Sequence, residues 1–254
     1  MFNDRDPFLT YPEWVQIFDA ALNNGIVKDD IVRYQHRLQM QMLHWPGVVK
    51  SLRRIHEGIF GAPSEPGLLL QAIEVAQGLQ NIDLEVISQL RQRGDIIEAP
   101  NDGTSPFPWV YEFSGHDVAR LFIHHAMASI SINRIVEQLV TPVGAVPDPT
   151  FGESNIEWSR RIWLSCSFAR RAKPLQCIYL VIPLIVSFEA ADSKQREWIK
   201  EALDSRAYNQ TGHQKVDLGT AAFQLQFILD HWTSSETLRF LEPCADLAQL
   251  ASSG

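Results

Sequence analysis

Residues Ser114 to Val140 read "SGHDVARLFIHHAMASISINRIVEQLV", and the way this run folds decides the architecture of the chain. Ser114 and Asp117 stand three residues apart in the order of a helix-opening cap. No proline follows, so the spacing predicts one helix of about seven turns. Its circumference is apolar on most sides. A surface helix needs a polar face, so this one is expected to be enclosed by its neighbours. Among the polar residues that interrupt it are His116, Asp117, Arg120, His124, His125 and Asn133. His116, Arg120 and His124 share one stripe at four-residue spacing, while His125 is turned about 100° from it.

Helix punctuation recurs on both sides of this segment. Thr10 and Glu13 form a capping box ahead of Trp14, Ile17, Phe18 and Ala21, and Asp29 or Asp30 caps a second helix carrying Ile31, Tyr34, Leu38 and Met42. Pro46 restarts the chain. Ser64-Glu65-Pro66 opens a third region, in which Gly78 is expected to mark an irregularity. The Pro, Gly, Asn and Asp content of residues 94–108 predicts a long loop, and residues 141–153 read as a hinge or flexible connection. Beyond it Ser154 pairs with Glu157 as a cap, Leu175 to Ala191 reads as a greasy helix kinked at Pro183, and Asp192 with Gln195 caps another. Asp217 and Ser234 precede further helical stretches. Together these signals predict an all-α, irregular array of about nine to eleven helices around one core. Residues 1–254 form a single domain or two fused halves joined near 141–153.

The bulk numbers agree with that architecture. A chain of 254 residues with 45% apolar and 20% charged content is an ordinary globular composition, large enough for a sizeable core. The formal charge of −8 argues against direct nucleic-acid binding, which rests on Lys and Arg neutralising phosphates. Cys166, Cys177 and Cys244 make neither a disulfide framework nor a C-x-x-C metal pattern. The opening "MFNDRDPFLTYPEW" lacks an export signal, so the protein is expected inside the cell, in cytoplasm or nucleus. The greasiest run, Leu175 to Phe188, is too short to cross a bilayer as a helix, which needs about 20 residues.

No phosphate-binding glycine loop, nucleophile elbow or H-E-x-x-H motif occurs, so no cofactor is expected. His116 and His124 lie about 12 Å apart along the helix axis at i and i+8, too far to share a metal, and no metal site is expected. Acid–base chemistry asks for less: one titratable group near the reacting atom with its pKa moved toward working pH. His124, His125, His116 and Asp117 are the catalytic candidates on that ground. Against this, Asp117 suits the first turn of its helix, and one of two adjacent histidines on an apolar helix must point inward for a core hydrogen bond. Tyr111, Arg120, Asn133 and Trp163 are the candidate pocket residues. Arg160, Arg161, Arg170, Arg171 and Lys173 read as solvated helix charge, without the aromatic interleaving of a nucleic-acid surface.

A family resemblance enters through three stretches. "FPWVYEFSGHDVARLFIHHAMASISINRIV" is a helix of small and apolar residues following an aromatic-rich loop. "EWSRRIWLSCSF" carries Ile162 and Ser165, and "YLVIPLIVSFEAADSKQREWIKEAL" carries Ile182-Pro183-Leu184 and then Arg196 and Trp198. From Phe107 to Trp232 this order resembles the C-terminal part of the fungal-specific transcription factor domain, the helical region that follows a zinc cluster in fungal regulators. The resemblance implies a helical regulatory module, here without the zinc cluster, binding a small apolar metabolite or a protein partner. A second expectation is an enzyme of fungal secondary metabolism, a cofactor-independent cyclase, dehydratase or isomerase that uses a histidine in the helical pocket.

Overall fold

The structure is a computed structural model that describes residues 16–17, 20, 29–56, 65–101, 103, 105–140, 149–171 and 179–211. Among these the chain is mostly helical. It runs α1 (Asp30–Met42), α2 (Trp45–His56), α3 (Glu65–Ile82), a π-helical turn (Asp83–Ile87) and α4 (Ser88–Gln92). Strands β1 (Ile96–Pro100) and β2 (Trp109–Phe113) follow, then α5 (His116–Val140), α6 (Pro149–Arg170), α7 (Val181–Val186) and α8 (Ser193–Thr211).

Local chemistry accounts for most of these boundaries. The Asp29 carboxylate accepts the Ile31 amide at 2.8 Å and so opens α1. The Asp192 and Gln195 capping box forms in both directions, Gln195 N–H to Asp192 at 2.8 Å and Asp192 N–H to Gln195 at 3.0 Å. At the end of α4, Asp95 N–H reaches the Leu90 carbonyl and Gly94 N–H the Arg91 carbonyl. Gly94 adopts φ 76° there, the left-handed position of a Schellman stop.

The central segment is the enclosed spine that its composition requires. Helix α5 packs against α3 on one side and α6 on the other, with α7 also against it. Its buried residues feed two apolar clusters. Leu121, Phe122 and Ile135 join the first, which includes Leu68, Leu79 and Leu90 of the α3–α4 rod. Ile123, Met127 and Ile130 join the second, with Ile162, Leu184 and Ile199. Each such side chain contributes about 1.5–3 kcal/mol through burial, so α5 is the element on which both clusters depend.

Helix α1 lies antiparallel along the rod, and polar pairs fix its register. Asp30 meets Arg93 at 3.5 Å, Tyr34 donates to Gln89 at 3.0 Å, and Arg37 meets Glu85 at 2.7 Å. At the far end Gln41 lies over Gly78, where an added Cβ would come within 2.3 Å of the Gln41 Oε1 atom.

Several expectations are corrected. The chain is not purely helical: Ile96–Pro100 and Trp109–Phe113 pair antiparallel, Ile96 opposite Phe113 and Pro100 opposite Trp109, inside and just beyond the stretch read as one loop. Ile96, Tyr111 and Phe113 share one face of the pair and are buried in the first apolar cluster, which favours that pairing. Glu65–Gln92 is one continuous rod through the π turn, so the separate helices among the described residues fall short of nine to eleven. Gly78 lies inside an uninterrupted α3, and the irregularity is the π turn five residues on. Helix α6 starts at Pro149, so residues 149–153 of the expected hinge are helical and Ser154 is no cap. A proline is compatible with a first helical position, because its missing amide has no partner to lose there. Among the described residues of the greasy stretch Val181–Val186 is α-helical, and Pro183 lies in its first turn, where no preceding α-helical turn is there for it to kink. Thr10, Glu13, residues 141–148, 172–178 and the stretches after Asp217 lie outside the described residues.

Replacing Gly78 with Ala should favour the helix by about 0.5–1 kcal/mol, because the atoms that its methyl meets are the movable end of Gln41. Thermal denaturation is expected to show a midpoint about 1–4 °C higher. A fall of comparable size would mean that Gln41 is fixed and that the close approach is structural.

Candidate functional site

The polar groups gather where α3, α5 and α6 meet. From α5, His125 is fully buried, and its Nε2 lies 2.8 Å from the Leu79 carbonyl oxygen. A carbonyl only accepts, so Nε2 carries the proton and Nδ1 is the bare nitrogen, which has no hydrogen-bond partner. From α6, Arg161 pairs with Asp83 at 2.5 Å across the π turn, and its second fork nitrogen lies 3.4 Å from the same carboxylate. Leu79 and Asp83 are four residues apart, on one face of the rod.

Trp158 joins the two contacts. The His125 ring stands edge-on to it at 5.3 Å, and the Arg161 guanidinium lies 4.2 Å from its ring centre. The same guanidinium lies 5.6 Å from the Phe122 ring, which Arg91 approaches to 5.8 Å. Arg91 also donates to the Tyr111 hydroxyl at 3.2 Å, and that hydroxyl donates to Glu98 at 3.3 Å. Burial raises the Tyr111 pKa, with the Arg91 charge opposing it. At this junction, buried polar groups are matched largely to one another.

The remaining candidates are dispersed. His124 packs edge-on against Tyr179 at 6.1 Å, and its pKa is lowered to about 4 by burial and by the Arg120 charge, against a backbone hydrogen bond at Tyr179. Burial also lowers that of His125, against the Leu79 carbonyl and the Asp83 charge. His116 lies against Phe168 at 5.1 Å. Asp117 is exposed in the first turn of α5 and pairs with Arg120 at 2.9 Å, and Arg120 also donates to Gln35. Asn133 donates to Asn155 of α6 at 3.0 Å, and Trp163 donates to Ser187 at 2.9 Å. Thus Tyr111 falls in the junction with His125, whereas Asn133, Trp163, Arg120 and His124 each have separate partners. No group of three or more metal-ligating side chains occurs among the described residues.

Arg161 and Asp83 are the junction residues that sequence reasoning missed. Arg161 is 8% exposed, not solvated helix charge as expected. Arg160 and Arg171 are exposed as expected, and Arg171 pairs with Glu112. No protein-family model, curated protein or solved structure matches this chain. Among the described residues no helix is long and apolar enough to cross a membrane.

Two outcomes test this geometry. Arg161→Met leaves the Asp83 carboxylate without its partner and should cost on the order of 3 kcal/mol in urea denaturation. Asp83→Leu combined with Arg161→Met should cost less than the sum of the single changes by about 1–3 kcal/mol, and strict additivity would show that the two do not act together.

The second outcome concerns pH. A histidine whose folded pKa is depressed binds its proton more readily when unfolded, so its contribution is complete above the unfolded pKa of about 6.5 and lost as pH falls toward 4. His124 should therefore contribute about 2 kcal/mol of acid destabilisation between pH 7 and pH 5. His124→Phe should flatten the urea midpoint over that window, and an unchanged slope would show that His124 does not titrate as placed.

Proposed function

We propose that the chain is a helical regulatory-type module that binds a small apolar ligand or a protein partner and uses the polar residues of α5 as scaffold. The observation that carries this reading is the fate of the deepest imidazole. His125 commits its Nε2 proton to the Leu79 carbonyl, and its bare nitrogen is closed off from solvent. A general acid or base must come within hydrogen-bond reach of a substrate, and a residue that joins two helices is poorly suited to that task. The resemblance of residues 107–232 to the fungal-specific transcription factor domain supports the same reading. Such a module would work in the cytoplasm or nucleus.

The enzyme reading requires His116, His124 or His125 to exchange a proton with a substrate. Thermal denaturation with neutral polyketide, terpenoid and alkaloid compounds, followed by mass spectrometry of the recovered compounds, separates the two. A binding module should gain about 5–10 °C at a hundredfold excess over Kd and return the compound unchanged. Time-dependent conversion that His124→Phe or His116→Ala abolishes, with an unchanged helical CD spectrum, would establish the enzyme instead. If no compound raises the midpoint, the small-ligand half of the proposal fails and a protein partner is what is left.

A further inference from the structure

Phe107 is a loop residue in the place of a core residue. It lies in the connection between β1 and β2, yet its ring packs against both apolar clusters. It stacks on Trp163 of α6 with centroids 5.8 Å apart and planes 11° from parallel, and it meets Trp198 of α8 edge-on at 5.6 Å and 89°. One indole supplies a parallel wall and the other a perpendicular one, the two arrangements that aromatic rings prefer.

The parallel wall is set without help from Phe107. Trp163 Nε1 donates to Ser187 Oγ at 2.9 Å, and that hydroxyl donates onward to the Leu184 carbonyl at 3.1 Å, so the indole plane is fixed by α7. The loop backbone is fixed as well. Asn101 donates from its side chain to the carbonyls of Ser105 at 2.8 Å and Phe107 at 2.7 Å, and from its amide to Pro108 at 3.0 Å. None of these bonds involves the Phe107 ring. Rotation about its side-chain torsions would therefore carry the ring outward while hairpin and slot persist. The ring is only partly buried, in contrast to Phe122 and Phe113 of the regular elements.

We propose that the slot walled by Trp163 and Trp198 is a binding site for a flat, uncharged aromatic ligand, and that Phe107 is a tethered plug occupying it in cis. The proposal rests on the small-ligand half of the function above and gives it a place and a ligand class. A fused two-ring compound offers more apolar area than the single ring of phenylalanine, and so has a driving force to displace it. An attached plug reduces apparent affinity by the fraction of time that the slot stands open. A slot open in about one molecule in ten therefore binds tenfold more weakly than a permanently open one.

The test compares wild type, Phe107→Ala and Phe107→Trp with 2-naphthol as probe, read by calorimetric titration and by amide exchange in the loop. Wild type is expected to bind saturably while amide exchange at Ser105 and Phe107 stays unchanged, because the ring leaves by side-chain rotation alone. Phe107→Ala should bind about tenfold more tightly. Phe107→Trp, which keeps a ring in the slot and so keeps the fold measurable if the Ala variant unfolds, should bind several-fold more weakly. Equal affinity in wild type and the folded variants overturns the plug, even where other compounds raise the thermal midpoint, in which case ligand binding stands but at another place. No binding of 2-naphthol by wild type or variants overturns the aromatic site. If the apolar compounds also leave the midpoint unchanged, the small-ligand reading falls with it.

Discussion

The arrangement of α3, α5 and α6 depends on two polar contacts made to one face of the α3–α4 rod. His125 of α5 holds the Leu79 carbonyl, and Arg161 of α6 holds the Asp83 carboxylate four residues further along. Apolar helix faces tolerate sliding, because one leucine fills much the same space as the next. A charge pair and an imidazole–carbonyl bond tolerate none, since a slip of one turn leaves a buried acceptor or charge unpaired at about 1–3 kcal/mol or more. The net stability gained over well-packed apolar residues is small, and what the contacts set is the register of three helices against one another.

The π turn follows from the same demand. Asp83 is drawn to Arg161 of α6, and Glu85, two residues later, is drawn to Arg37 of α1. Val86, Ile87 and Leu90 must still reach the core. A widened turn serves these requirements together. Ser88 supports it by giving the Asp83 carbonyl both its amide and, at 3.2 Å, its hydroxyl. The rod then stops at Gly94, and Ser114 N–H returns to the Asp95 carbonyl at 3.0 Å, which closes the hairpin base beside the start of α5. The geometry that carries Phe107 to the second cluster thus begins with the way the rod is held.

Local chemistry was readable in the sequence wherever the deciding partner lay a few residues away. The Asp29 cap, the Asp192–Gln195 box and the enclosed α5 helix follow from spacing alone. Readability ended where the partner was distant. Arg161 and Asp83 are separated by 78 positions, and nothing near Arg161 distinguishes it from a solvated arginine until α6 is packed. The hairpin was hidden for a related reason: proline, glycine and asparagine dominate its connection, and "WVYEF" and "IIEAP" show no clean alternation, so that their pairing rests on contacts across the strands. The candidate site was visible in part. One of the two adjacent histidines was expected to find an internal partner, but that it is His125, and which carbonyl it meets, are properties of tertiary packing.

The two neighbouring histidines have their pKa values lowered by partly different surroundings, and the difference bears on what α5 can do. Burial acts on both. For both an arginine adds to burial and a backbone hydrogen bond opposes it, Arg120 and Tyr179 for His124 and Arg161 and Leu79 for His125, and for His125 the Asp83 charge opposes it as well. Both rings are therefore neutral at pH 7, and the middle of α5 adds no positive charge to the interior. A neutral middle suits a helix walled on both sides by aliphatic and aromatic groups, where an imidazolium would need a counter-charge. The carboxylate whose charge acts on His125, Asp83, is already paired with Arg161. Proton uptake by His125 would therefore have to compete with the ion pair that fixes the rod, which ties the charge state of α5 to the junction of the helices around it.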